Sequence, residues 1–246
     1  VYDSLSEDYR QAFHLFLDHT DQKTQARQWL DTMVEALATR RTFIDAGAGT
    51  GTVTAWLANR FERTVALEPN ASLREELRRA CPGVEILPET IMDAKPPEQA
   101  ELVLCSHVLY YIDPKEWPEH LEKMASWVSA QGELVIVLQS PDTDCMDMLA
   151  HFHDRRFDLA GAAVQFQTES IGRYRVEIEN VPAHVMTPDR ESAVTIAEFM
   201  LNLLPLPEAP PRKELEDYVT TRFASGDRYR FSCHQDFLRI TPQADA

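Results

Sequence analysis

No stretch of this sequence approaches the ~18 uninterrupted apolar residues that a membrane-crossing helix needs. No positively charged and then apolar segment opens it as a secretory leader would. Cysteine is sparse: Cys81, Cys105, Cys145 and Cys233 show no Cys-x-x-Cys spacing, and Cys105 lies inside an apolar run. Free thiols in a reducing compartment are therefore expected, and with them a cytoplasmic setting. Basic residues are in deficit, 24 Lys and Arg against 40 Asp and Glu, for a formal charge of −16. That charge repels phosphate backbones and anionic lipid, so neither nucleic acid nor a membrane is an expected partner. Internal repeats and long low-complexity tracts are also missing.

What is present is enough for one α/β domain with a small cap: 246 residues, 44% of them hydrophobic. From Ser4 to about Thr39 the pattern is helical, with Phe13, Phe16 and Leu17 on one face and a break at His19-Thr20-Asp21. Short apolar runs then alternate with helical segments. Strands are predicted at Phe43-Ile44, Val65 to Glu68, Val84 to Leu87, Leu102 to Ser106 and Glu133 to Gln139. Helices are predicted over Val53 to Phe61, Ser72 to Ala80, and from Asp113-Pro114 to about Ser129, ended by Gly132. Such alternation implies a mostly parallel sheet with helices on both faces. After Ser140 the rhythm changes, with helices at Asp144 to His153 and Glu191 to Leu204 and strands at Arg173 to His184 and Tyr229 to Ile240.

The sharpest local signal is Phe43-Ile44-Asp45-Ala46-Gly47-Ala48-Gly49-Thr50-Gly51, a strand entering a glycine loop that opens a helix. Glycines there let backbone turn tightly and approach a ligand. The dinucleotide fingerprint wants Gly or Ala where Thr52 stands, which disfavours a nicotinamide cofactor. Glu68-Pro69 follows about twenty residues on, at the end of the next strand, where a carboxylate can accept two ribose hydroxyls. Past the third strand, Thr90 and Ile91 are the expected adenine contacts. At the end of the fourth, Ser106 is expected to face the nucleoside ligand, and His107, Tyr110 and Tyr111 a second ligand. His151 and His153, two apart on a helix, point to different faces, and Asp142, Asp144 and Asp147 suit a helix start, so no metal is expected.

On Asp45 and the glycine loop, Glu68-Pro69, Leu109-Tyr110-Tyr111, the N-terminal Tyr9, Phe13 and Phe16 to Thr20, and the Phe231 segment, the chain resembles class I S-adenosylmethionine-dependent methyltransferases. Among them it is similar to histamine N-methyltransferase-like proteins. The resemblance implies one methyltransferase domain over 1–246, with a Rossmann-like seven-stranded sheet whose last strand is antiparallel. A helical cap over 1–39 and further cap segments at 141–170 and 188–225 would complete it. S-adenosylmethionine would be bound by Asp45, Gly47, Ala48, Gly49, Glu68, Pro69, Thr90, Ile91 and Ser106, with S-adenosylhomocysteine as product. Tyr9, Phe13, Tyr110, Tyr111 and Phe231 would line an aromatic pocket. Where the family anchors an amine, this chain places Asp21-Gln22, His107 and Cys233, which argues against histamine itself.

Methyl transfer from a sulfonium is an in-line displacement, so positioning is the protein's main task. A neutral nitrogen acceptor needs no base, whereas a hydroxyl would use one, and His107 is the candidate. The expected activity is N-methylation of a small amine or imidazole-bearing metabolite. The alternatives are an O- or C-methyltransferase of natural-product biosynthesis and a non-catalytic nucleoside sensor.

Overall fold

A computed structural model describes residues 7–153, 156–202 and 209–243. The chain runs α1 (Glu7–His19), α2 (Gln22–Ala36), β1 (Thr42–Ala46), α3 (Thr52–Leu57), β2 (Arg63–Leu67), α4 (Ala71–Ala80), β3 (Glu85–Leu87), β4 (Ala100–Ser106), α5 (Trp117–Ala125) and β5 (Val128–Gln139). It continues through α6 (Asp144–His153), α7 (Leu159–Glu169), β6 (Tyr174–Val181), β7 (His184–Thr187), α8 (Arg190–Leu201), α9 (Arg212–Arg222), β8 (Ala224–Ser225), β9 (Arg228–Ser232) and β10 (Gln235–Pro242). Taken over the described residues alone, these elements form two compact units, one falling within 30–138, 159–179 and 236–246, the other within 1–29, 139–158 and 180–235. Among the described residues no helix is long and apolar enough to cross a membrane.

The first unit is built on a seven-stranded sheet of order β3-β2-β1-β4-β5-β10-β6. β1 runs parallel to β2 and β4, β2 to β3, and β4 to β5, while β10 is antiparallel to β5. This is the mostly parallel sheet that the alternating pattern implies, in the seven-stranded Rossmann-like form with an antiparallel last strand that the family resemblance implies. Its centre is dry: every residue of β1 is buried, and so are Val65 to Leu67 of β2 and Ala100 to Cys105 of β4. Chain order reverses between β1 and β4, so the loops leaving their carboxyl ends diverge and leave a crevice at that edge. Asn70 caps α4, its side-chain oxygen accepting from Ser72 N and Leu73 N.

Several boundaries differ from the sequence reading. Asp113 caps a short 3-10 turn over Pro114–Glu116 by accepting from Lys115 N, and the α-helix starts only at Trp117. It ends at Ala125, and β5 begins at Val128, so Gly132 lies within a strand instead of closing a helix. The reason is close backbone approach: a Cβ at Gly132 would fall 2.5 Å from the Ala100 carbonyl oxygen, where the β4–β5 register shifts. Helix α7 was not predicted, and it belongs with the sheet unit, where Phe166 packs on Tyr174 at 5.6 Å between ring centroids.

The second unit holds a small antiparallel sheet, β7-β9-β8. Phe13 and Phe16 of α1 meet Phe199 of α8 at 5.6 and 5.4 Å. Asp144, opening α6, accepts from Ser232 N and Oγ of β9 at 2.7 and 2.8 Å. The stretches predicted as single strands, Arg173 to His184 and Tyr229 to Ile240, each divide into one strand of the large sheet and one of the small.

Candidate functional site

The loop after β1 carries three glycines, each with positive φ: Gly47 at 96°, Gly49 at 57° and Gly51 at 88°. Their reasons differ. A Cβ on Gly47 would lie 2.4 Å from Val108 Cγ2, and one on Gly51 2.7 Å from Leu77 Cδ1, so both positions serve the protein's own packing. A Cβ on Gly49 would meet none of the described residues within 4 Å, which leaves the loop's tip bare of them on that side. Gly47 N and Ala48 N both donate to the Leu67 carbonyl, at 3.0 and 2.9 Å, tying the loop to the end of β2.

Two carboxylates converge on this loop. Asp45 is 2% exposed, and its Oδ2 accepts from Thr54 Oγ1 at 2.6 Å. Burial pushes its pKa up to about 6, the Thr54 hydrogen bond opposes this, and the Glu68 charge adds to it. Glu68 is 6% exposed; its Oε2 accepts from Gly49 N at 2.9 Å and its Oε1 from Asn70 N at 2.8 Å. A carboxylate oxygen has two acceptor positions, so each retains one for a hydroxyl donor. Arg74 Nη1 donates to the Glu68 and Pro69 carbonyls at 2.9 and 2.6 Å, which holds this turn in place. The donor and acceptor set fits a nucleoside: a diol acceptor beside a loop tip with no side chain.

Past β3, Ile91, the apolar residue expected to contact adenine, is 7% exposed. Thr90 is exposed, and its hydroxyl donates to Asp93 Oδ2 at 2.7 Å. At the end of β4, Ser106 is half-buried and paired with Val137. His107 follows with φ 58°, the one non-glycine residue in the left-handed region among those described, and its N donates to Val137 O at 2.9 Å. Its ring stacks on Tyr110 at 5.7 Å, with Nδ1 3.4 Å from the Tyr110 hydroxyl. Tyr110 is 6% exposed and Tyr111 77%, because the 3-10 turn over Leu109–Tyr111 sends neighbouring side chains apart. Trp117 Nε1 fixes that turn by donating to the Leu109 and Ile112 carbonyls.

The other expected ligand contacts lie in the second unit. Gln22 Nε2 donates to Cys233 O at 2.9 Å, Thr20 Oγ1 is 3.6 Å from Cys233 Sγ, and Asp21 Oδ1 accepts from His184 N at 2.7 Å. Gln22, Asp21 and Cys233 are thus brought together, but the Gln22 amide is engaged by backbone. Cys233 is fully buried, its thiol pushed up to about 12 by that burial. Phe231 is 1% exposed and stacked on Phe223 at 4.4 Å. Phe13 is half-buried, with Lys23 Nζ 5.2 Å above its ring. The Tyr9 side chain lies outside the described residues. Sequence reasoning missed Thr54 and Asn70; the cap position of Asn70 ahead of Ala-Ser-Leu was the one legible signal of the two.

Residues 17–177 match the model of a methyltransferase domain. The chain belongs to the methyltransferase-domain family. No curated protein matches this methyltransferase in sequence. Solved structures share its fold: a protein assigned as a methyltransferase from Bacillus halodurans is 15% identical with a TM-score of 0.60, covering 86% of this chain and 97% of its own. The N-methyltransferase NodS from Bradyrhizobium japonicum, in complex with S-adenosylhomocysteine, is 12% identical with a TM-score of 0.58, covering 97% of this chain and 100% of its own. DhpI, likewise with S-adenosylhomocysteine, is 14% identical with a TM-score of 0.52, covering 91% and 87%.

Proposed function

We propose that this methyltransferase takes its methyl group from S-adenosylmethionine, held at the carboxyl ends of β1 to β4, and passes it to a nitrogen of a small amine or imidazole-bearing metabolite. The observation that carries the cofactor assignment is the buried Glu68 carboxylate seated against Gly49 N at the bare loop tip. The methyl donor, when bound, supplies an electrophilic carbon on a sulfonium and leaves as S-adenosylhomocysteine. Glu68 accepts the ribose hydroxyls, Gly49 admits the ligand against backbone, and Ile91 offers an apolar surface to the base. NodS, an N-methyltransferase that binds S-adenosylhomocysteine, supports both halves of this reading by analogy of fold.

A nitrogen acceptor fits a chain of charge −16, whose field favours cationic ligands, and it matches the family resemblance to histamine N-methyltransferase-like proteins. His107 and Tyr110 stand at the end of β4, where an acceptor would face the methyl group. One observation favours a second reading: an imidazole held beside a tyrosine hydroxyl is a suitable base for a hydroxyl acceptor. Methyl transfer to panels of amines and phenols, with wild-type protein and His107→Asn, separates the two. N-methylation is expected to survive His107→Asn within about tenfold, since no base is needed. O-methylation would instead dominate and fall by about 10²–10⁴ on losing its base.

A further inference from the structure

Among the described residues, β6 is the last strand of the seven-stranded sheet, flanked on one side by β10 and on the other by no strand. The Arg173 carbonyl accepts from Gln243 N at 2.9 Å, so the backbone at this position turns toward β10. By alternation along the strand, the backbone groups of Tyr174, Val176 and Ile178 turn outward. Such a row is a template for another strand unless it is covered or made incompatible.

The sequence of this edge decides which strand fits it. It reads Arg173-Tyr174-Arg175-Val176-Glu177-Ile178-Glu179. Laid antiparallel on a copy of itself about Val176, it sets Arg175 opposite Glu177, Arg173 opposite Glu179 and Tyr174 opposite Ile178. Val176 then sits on the two-fold axis as a hydrogen-bonded pair, and the Arg175–Glu177 pairs occupy the closer, non-hydrogen-bonded positions. Moving the axis to Arg175 or Glu177 places like charges opposite each other there. Sliding one strand by a single residue sets the charged face against the apolar one.

Exposure agrees with this reading. The side chains of Arg175 and Glu177, which pair with each other at 2.6 Å, are 65% and 42% exposed. Arg173 and Glu179 are held by Glu122 and Arg239 of their own chain, so the Arg175 and Glu177 pairs would set the register. Six large apolar side chains stand well exposed among the described residues. Three of them, Val164 (65%), Ile171 (82%) and Ile178 (40%), fall on α7, β6 and the turn between them.

We propose that β6 is a self-complementary edge through which two copies of this chain join their sheets, antiparallel, about a two-fold axis at Val176. The pairing is closed, since each copy uses this edge once, and it yields a dimer instead of a filament. It rests on the sheet and its charge pattern, independently of the acceptor assignment.

Sedimentation velocity of the full chain at micromolar concentration tests it, with circular dichroism and cofactor binding confirming that each variant is folded. A dimer is expected. Arg175→Glu sets glutamates opposite each other twice and is expected to weaken the dimer by about tenfold or more. Combining Arg175→Glu with Glu177→Arg reverses every charge while keeping the complementarity, and is expected to restore the dimer. Val176→Pro removes an outward N–H and is expected to give monomer. If that variant misfolds, the charge reversal and its restoration decide alone. A monomeric wild type, a dimer indifferent to Arg175→Glu, or a charge swap that fails to restore association would overturn the proposal.

Discussion

Glu68 makes two hydrogen bonds to backbone N–H groups and retains one acceptor position per oxygen, so its removal acts on the ligand and on the loop together. Glu68→Ala is expected to weaken S-adenosylmethionine binding by about 1–3 kcal/mol, the worth of charge-assisted hydrogen bonds, as read by calorimetry. Asp45 gives a pH signature. Its pKa is about 6 in the folded chain against an ordinary 3.8, so the native state holds the proton more tightly than the unfolded one. As pH rises through the window between those values, the native state loses stability, on the order of 3 kcal/mol in all. Denaturant unfolding should show this loss in wild type and its absence in Asp45→Asn; equal pH dependence in the two would contradict it. At His107 the left-handed backbone is tolerated better by asparagine. His107→Asn should therefore keep or raise thermal stability, by about 1 kcal/mol at most, and a large destabilisation would mark His107 as a structural residue. The positions of Asp45 and Glu68 were legible because a short apolar run marks each strand and therefore its carboxyl end, near which both residues stand. The fates of Tyr110 and Tyr111 were not, because a 3-10 turn pinned by Trp117, several residues away, decides which of two adjacent tyrosines is buried.

The glycine loop separates packing from ligand approach within a single element. Gly47→Ala meets Val108 at 2.4 Å with φ 96°, and Gly51→Ala meets Leu77 at 2.7 Å with φ 88°; both should destabilise the fold, by several kcal/mol each at about the scale of overpacking plus backbone strain. Gly49→Ala meets none of the described residues and should cost only about 1–2 kcal/mol of backbone strain. It should nevertheless impair cofactor binding. Thermal melts with and without S-adenosylhomocysteine distinguish the three; equal melting losses, or undiminished ligand stabilisation of Gly49→Ala, would contradict this division. Strands β1, β2, β3 and β4 were readable because buried parallel strands appear as short apolar runs bounded by turns. Helix α7 was not, since Leu159 to Glu169 mixes alanine, glycine and glutamine with only Leu159, Ala163 and Phe166 buried, a weak period. The break at Cys233-His234 escaped notice because both flanking segments read as strand. Nothing local tells that one joins the small sheet and the other the large.

For the whole molecule, the mostly parallel sheet and its one antiparallel strand followed from alternation and from the family resemblance. The division into two units, each assembled from separated stretches of chain, rests on long-range contacts that no local pattern encodes. The net charge of −16 is a property of the whole chain and gives a whole-chain expectation. The KM for a cationic acceptor should rise with ionic strength while that for a neutral one stays level. The S-adenosylmethionine site proposed here joins the loop tip at Gly49 to the Glu68 carboxylate. Calorimetric titration of the chain and of Glu68→Ala with S-adenosylmethionine, S-adenosylhomocysteine and NAD tests it most directly. Wild type is expected to bind the first two and not NAD, with weaker binding in the folded variant; binding of NAD alone, or unchanged affinity in Glu68→Ala, would contradict this site.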